Sequence, residues 1–311
     1  MLSRLKKLGI VSGLSATLLL AACGGGNDNN AANDANNNDA ANNGGDAKYG
    51  EEMNYKITGI EPGAGVFKAA ENAVEEYDLE GWEVQSSSSG AMATALGEAI
   101  KNEEPIVVTG WSPHWKFAKY DLKYLEDPNG TFGDAETINT MVREGLEDDM
   151  PEAYELLDNF NWTPDDLEEV MLKVSEGASP EDAAAEWISE NEDAVAEWSE
   201  GIDEVNGDKI ELVYVEWDTE VASTNVVGQV LEELGYDVKV TPLDNAVMWE
   251  AVATGEADGM VAAWLPGTHG DLFEQYEDDL IDLGPNLEGA KIGLVVPEYM
   301  DIDSIEDLDT K

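Results

Sequence analysis

Among 311 residues there are one cysteine and two histidines, and 16 basic side chains stand against 68 acidic ones. Each shortage removes a class of function. The lone Cys23 can form no internal disulfide. His114 and His269 leave few ways to build a general base, and no G-x-S-x-G, H-E-x-x-H or C-x-x-C stretch points to catalysis. No D-x-D-x-D-G loop marks a calcium site, so neither metal nor cofactor is expected. A formal charge of −52 offers no basic face for phosphates, which sets nucleic acid aside as a partner. Nor does any apolar run reach the roughly 20 residues that a membrane-spanning helix needs.

The charge that is present resists self-association and is tolerable mainly where salt screens it, so the chain reads as a monomer adapted to a saline or alkaline medium. A merely acidic secreted protein is the plainer alternative. Arg4, Lys6 and Lys7 precede an apolar stretch from Leu8 to Leu20, and Leu20-Ala21-Ala22-Cys23 follows. A basic start, a short apolar run and small residues before a cut make residues 1–22 a secretory signal. The Leu-Ala-Ala-Cys ending resembles the bacterial lipobox, in which the cysteine is acylated, so Cys23 is the expected lipid anchor. From Cys23 to residue 50 the chain is almost entirely Gly, Asn, Asp and Ala. It cannot bury apolar area and is expected to be a disordered tether, with an end-to-end distance of roughly 28 Å.

From Tyr55 strands and helices alternate. KITGI, WEVQS and PIVVTGW read as strands separated by helices, and LVYVEW, YDVKVTPL and GMVAAW repeat that order. Ile60 falls on Val215 and Trp111 on Trp264, which suggests two α/β lobes of one plan. Residues 51–205 supply the first half and 206–311 the second, each a mostly parallel sheet flanked by helices. Residues 134 to 200 look mainly helical, some of them able to cross between lobes, and NWTPDDLEEVML opens with Thr163 as N-cap and Pro164 at the first helical position.

Three of these strands end in tryptophan, at Trp111, Trp217 and Trp264. In open α/β sheets ligands sit beyond the carboxyl ends of the strands, so the indoles are expected around one interlobe cavity, with Pro113 and Pro266 stiffening the chain just past two of them. Indole faces without neighbouring cations suit a quaternary ammonium, which has no proton to donate. EPGAGVF opens a helix, and the Gly65 and Val66 amides could converge on an anion there. His269 is a side-chain donor from the other half. A cation cage beside a carboxylate clamp describes a small zwitterion, to which a net negative charge gives no steering. The acidity is therefore a habitat signal.

GWSPHWKFAKYDLKYLEDP, EWDTEVASTNV and AWLPGTH resemble the glycine-betaine-binding lipoproteins of osmoprotectant ABC importers. The resemblance implies a two-lobe, type II periplasmic-binding-protein-like fold that closes over betaine. It implies a cage of Trp111, Trp217 and Trp264, and a carboxylate held by Gly65, Val66 and His269. It further implies membrane-bound permease subunits as partners and an extracytoplasmic, lipid-anchored location. In related binders the half carrying AWLPGTH comes first. Here it comes second, and SIEDL would lead into KITGI if the ends were joined, as a circular permutation requires.

The remaining tryptophans, Trp82, Trp162, Trp187, Trp198 and Trp249, read as packing. Trp115 reads either as packing or as cleft mouth. Alternation turns His114 away from the cavity into a structural hydrogen bond. Ser86 to Gly90 reads as a helix N-cap, a polar cleft wall, or both. Three other functions stay open: a receptor for proline betaine, carnitine or choline; an extracellular hydrolase of small esters or amides using one of Ser86 to Ser89 with a histidine; and a surface adhesion or ion-buffering lipoprotein.

Overall fold

The computed structural model describes residues 49–311. The signal sequence, Cys23 and the tether up to residue 48 lie outside the described residues. Tyr49 and Gly50, expected at the end of the tether, instead open a short helix, Tyr49–Glu52. Gly50 donates its amide to Asp309 Oδ1 at 2.7 Å, and Trp82 Nε1 donates to the Asp309 carbonyl at 2.8 Å. The start of the described chain therefore lies beside Asp309, the proximity that a permuted order of halves requires.

Nine strands follow: β1 (Lys56–Thr58), β2 (Glu83–Gln85), β3 (Val107–Ser112), β4 (Leu122–Tyr124), β5 (Glu136–Arg143), β6 (Lys209–Tyr214), β7 (Asp237–Pro242), β8 (Gly259–Leu265) and β9 (Leu280–Pro297). They hydrogen-bond in the order β2-β1-β3-β9-β5-β8-β6-β7, with β4 also on β9. The order contains the repeat read from the sequence. In the first lobe β1 pairs in parallel with β2 and β3; in the second, β6 pairs in parallel with β7 and β8. To each parallel trio an antiparallel strand is added, β9 beside β3 and β5 beside β8.

β9 joins the lobes. Its first part, Leu280 to Ala290, pairs with β5, and its last part, Lys291 to Pro297, pairs with β3 and β4. The two sheets thus part at Glu136 and again near Ala290, not near residue 205. Residues 136–205 go with the second lobe, and they include β5, a strand within a stretch expected to be mainly helical. β5 and β9 carry Gly, Asn, Thr, Asp and Glu among their apolar residues, which hides the two-residue period.

Local chemistry sets the helix starts that position the cleft. Ser88 caps the helix Ser89–Asn102 by accepting the Ala91 amide at 3.3 Å. Thr163 and Asp166 form a capping box on the helix Pro164–Ser175, with Pro164 at its first position. The helix Asp218–Glu233 is buried along most of its length, including Val226, Val227, Val230 and Leu231, because it lies between the second sheet and the helix Pro180–Glu190. Leu212, Met260 and Val261 are buried in the second lobe's strands, and Ile57, Val107, Leu294 and Val295 in those of the first lobe. Among the described residues no helix is long and apolar enough to cross a membrane.

Trp82, Trp162, Trp187, Trp198 and Trp249 are all buried. Trp187 stacks on Trp198 with centroids 5.7 Å apart and meets Trp162 edge-on, also at 5.7 Å, in a cluster that ties the second lobe's helices together. Trp187→Ala should therefore cost about 3–5 kcal/mol of unfolding free energy, measured by urea denaturation; a loss under about 1 kcal/mol would show that the cluster is not core.

Candidate functional site

Trp111 lies in β3 and Trp264 in β8, at matching positions near the ends of corresponding strands. The third indole is placed differently from expectation. β6 stops at Tyr214, and Trp217 is the N-cap of the helix Asp218–Glu233. All three side chains are nonetheless buried, and one small cavity is lined by Trp111, Trp217, Trp264, Ile60, Val66, Thr268 and Ile292. The Trp111 and Trp217 centroids are 6.5 Å apart with planes inclined by 45°. The peptide bonds Ser112–Pro113 and Leu265–Pro266, just past two of the indoles, are both cis.

Val66 lines the same cavity from the helix Gly65–Glu76. Gly65 and Val66 occupy the first two positions of that helix, where amides have no intrahelical acceptor, and Ala64 at the N-cap brings no side-chain oxygen. The helix start comes hard against the other lobe: a Cβ on Gly65 would lie 2.5 Å from the Cα and carbonyl oxygen of Thr268. Glycine is required here by the approach of two backbones.

His269 follows Thr268. Its Nδ1 accepts the backbone N–H of Trp264 at 2.9 Å, which leaves the ring proton on Nε2. Nε2 is buried and has no partner among the described residues. Burial pushes the imidazole down to about 3, so the ring is neutral and offers a hydrogen bond without a competing cation. The ring stacks on Trp217 at 5.6 Å and 8°, and Trp249 meets it edge-on at 5.6 Å. Trp249, assigned above to packing alone, thus also backs the site.

Three acidic side chains missed in the sequence hold these groups. Glu136 Oε1 accepts the amides of Gly267 and Thr268 at 2.8 and 2.6 Å, and its Oε2 accepts Thr268 Oγ1 at 2.7 Å, which fixes the loop carrying His269. Glu61 Oε1 accepts Trp217 Nε1 across the cleft. Glu220, fully buried, accepts Trp264 Nε1 at 2.9 Å and Thr219 Oγ1 at 2.6 Å. An indole N–H bonded to a carboxyl oxygen keeps its ring orientation fixed. No signal in a chain with 68 acidic residues separates these three from solvated ones.

Trp111 differs, because its Nε1 is buried and has no partner among the described residues. Lys116 Nζ lies 4.2 Å from its ring centroid and bonds the Trp111 carbonyl at 3.0 Å. Burial pushes the Lys116 ammonium well below its ordinary value, which lessens its hold on the indole face.

His114 is buried and makes the structural bond expected of it, its Nδ1 accepting the Lys116 amide at 3.2 Å. Trp115 lies outside the cavity lining and donates Nε1 to Asp218 Oδ1 at 2.9 Å. Ser89 Oγ donates to Asp218 Oδ2 at 3.0 Å and Ser87 Oγ to the Gly59 carbonyl at 2.6 Å. Ser88 caps a helix, and among the described residues no hydrogen bond joins Ser87, Ser88 or Ser89 directly to a histidine. No cluster of three or more potential metal ligands occurs among the described residues.

Glu220 gives the site a measurable pH signature. Burial raises its carboxyl to about 8, against opposing hydrogen bonds from Thr219 and Trp264. The folded state keeps this proton over an interval in which the unfolded chain has released it, so stability falls as pH rises from 4.5 to about 8. Glu220→Gln should flatten that part of the urea-midpoint profile of the ligand-free protein; an unchanged slope would remove Glu220 as its source.

Comparison with known proteins gives a consistent picture. The family described as the substrate binding domain of ABC-type glycine betaine transport system matches residues 32–190 and 208–311. The glycine betaine/carnitine transport binding protein GbuC of Listeria monocytogenes is 53% identical over 270 residues, which cover 85% of this chain and 90% of that protein. A lactococcal OpuAC, solved closed and liganded with glycine betaine, is 54% identical over 48% of this chain and 59% of its own, with a TM-score of 0.46. An ABC-transporter choline binding protein solved with choline is 32% identical over 50% of this chain and 55% of its own, with a TM-score of 0.44.

Proposed function

The chain belongs to the family of substrate-binding domains of ABC-type glycine betaine transport systems, and from that premise we propose that Trp111, Trp217 and Trp264 form the cage for the ligand's methylated ammonium. The protein is the extracytoplasmic substrate-binding component of a glycine betaine importer, and it delivers its solute to the permease in the membrane. The observation that carries the site assignment is the meeting of three indoles from both lobes in one buried cavity that Val66 also lines.

Each desolvated indole face contributes about 2 kcal/mol toward a cation, so a full cage supplies about 6 kcal/mol. Binding at 1 μM needs about 8 kcal/mol. The ligand's carboxylate accounts for the difference through charge-assisted bonds from the Gly65 and Val66 amides and from His269 Nε2. All three donors are neutral, which suits a ligand whose own ammonium already balances the carboxylate.

The same geometry ranks the relatives of betaine. Choline has no carboxylate and leaves the clamp unpaired, a cost of about 1–3 kcal/mol for each buried group. Carnitine and proline betaine keep both charges but are larger, so they require more room than a small cavity offers before the lobes adjust. Acylation of Cys23 would hold the body at the membrane surface as a monomer. The chain's acidity suits a saline medium.

Trp111→Ala and Trp264→Ala should each weaken glycine betaine binding ten-fold or more in calorimetry, and His269→Ala should do the same while leaving choline binding nearly unchanged. Wild-type affinity in either tryptophan variant would show that the cage lies elsewhere.

A further inference from the structure

Trp217 and Asp218 are consecutive, and both reach across the cleft. Trp217 Nε1 meets Glu61 of the first lobe. Asp218, the first residue of its helix in the second lobe, accepts Trp115 Nε1 on Oδ1 at 2.9 Å and Ser89 Oγ on Oδ2 at 3.0 Å. His114 Nε2 lies 3.5 Å from the same Oδ2. These partners all belong to the first lobe: Ser89 begins the helix Ser89–Asn102, and His114 and Trp115 form the corner after β3.

A second carboxylate closes on that corner. Glu168, on the helix Pro164–Ser175 of the second lobe, accepts the His114 backbone N–H at 3.0 Å. Neither Asp218 nor Glu168, nor Ser89, His114 or Trp115, lines the cage cavity. Asp218 and Glu168 instead spend their oxygens on donors of the opposite lobe.

We propose that Asp218, seconded by Glu168, is a closure latch: it binds the second lobe to the Ser89 and His114–Trp115 donors only when the lobes are shut, and so sets ligand affinity without touching ligand. This inference rests on the ligand reading above.

The chemistry fits the task. Burial alone would push the Asp218 carboxyl up, but the groups at His114, Trp115 and Ser89 overcome that and hold it well below the usual carboxylate range. It remains an anion facing donors, and such bonds are stronger than neutral ones. In a chain of net charge −52, shutting two acidic lobes has an electrostatic cost, and donors aimed at the approaching carboxylates offset it. When the lobes open, carboxylate and donors return to water and the contribution disappears, so the latch weights the closed state alone.

Position couples latch to cage. Trp217 precedes Asp218 directly, and the His114 ring meets Trp111 edge-on at 4.9 Å. A ligand that draws Trp111 and Trp217 together therefore brings the latch groups into register.

The test is calorimetry with glycine betaine on wild type, Asp218→Ala, Trp115→Phe and the double variant, with melting temperatures measured with and without ligand. Asp218→Ala should weaken binding about ten-fold and speed dissociation, while the ligand-free melting temperature moves little. Trp115→Phe keeps an aromatic side chain, removes the N–H donor together with the pyrrole half of the indole, and acts from the opposite lobe, so it should weaken binding about three-fold. In the Asp218→Ala background its effect should vanish. Affinities within two-fold of wild type for both single variants would overturn the latch. So would additive effects in the double variant, or a ligand-free melting temperature lowered as far as the liganded one. If wild type itself binds no quaternary ammonium solute, the ligand reading fails and the latch falls with it.

Discussion

A nitrogen carrying only carbon substituents has a permanent charge and no proton to donate, so the attraction left to select it is that of aromatic faces held out of water. The proposed site depends on that interaction, and its other features serve it. The indoles must be buried, because an exposed ring gives up half or more of its attraction to water. They must be held in orientation, which Glu61 and Glu220 do at Trp217 and Trp264 by accepting the indole N–H. Fixed cations near the faces must be weak competitors, and burial acts in that direction on both His269 and Lys116.

The fold assembles such a cavity from parts that are distant in sequence. Two copies of a β-trio, β2-β1-β3 and β7-β6-β8, each bring a tryptophan to the end of the last strand, and β9 runs through both sheets to set them facing. Trp217 enters from a helix start instead, and that placement lets one residue line the cavity while its neighbour Asp218 grips the opposite lobe. The approach of Gly65 to Thr268 brings the helix start proposed to bind the carboxylate beside the loop that Glu136 fixes.

Much of this was legible in the sequence. The repeat, the three indoles, the helix start at Gly65 and the helix caps follow from periodicity and from residue types with narrow conformational uses. Their physical meaning is local, so the chain can express it within ten or so positions. The rest was not legible for equally physical reasons. β5 and β9 pair with each other and with strands of both lobes, and their polar residues face places that only tertiary structure defines. Glu61, Glu136, Glu168, Asp218 and Glu220 are chemically identical to dozens of surface carboxylates until the fold supplies their donors. Trp217 looked like a strand end because Glu216 separates it from LVYV by only one residue.

The decisive comparison is between glycine betaine and 3,3-dimethylbutyrate, which replaces the nitrogen by carbon and keeps both shape and carboxylate. Measured by calorimetry at high salt, where net-charge differences are screened, the isostere should bind at least about 100-fold more weakly, a loss of at least about half of the roughly 6 kcal/mol that the three indole faces supply. Equal affinity for the two would mean that the cavity recognises shape and carboxylate alone, and that indole–cation attraction is not what the site is built on.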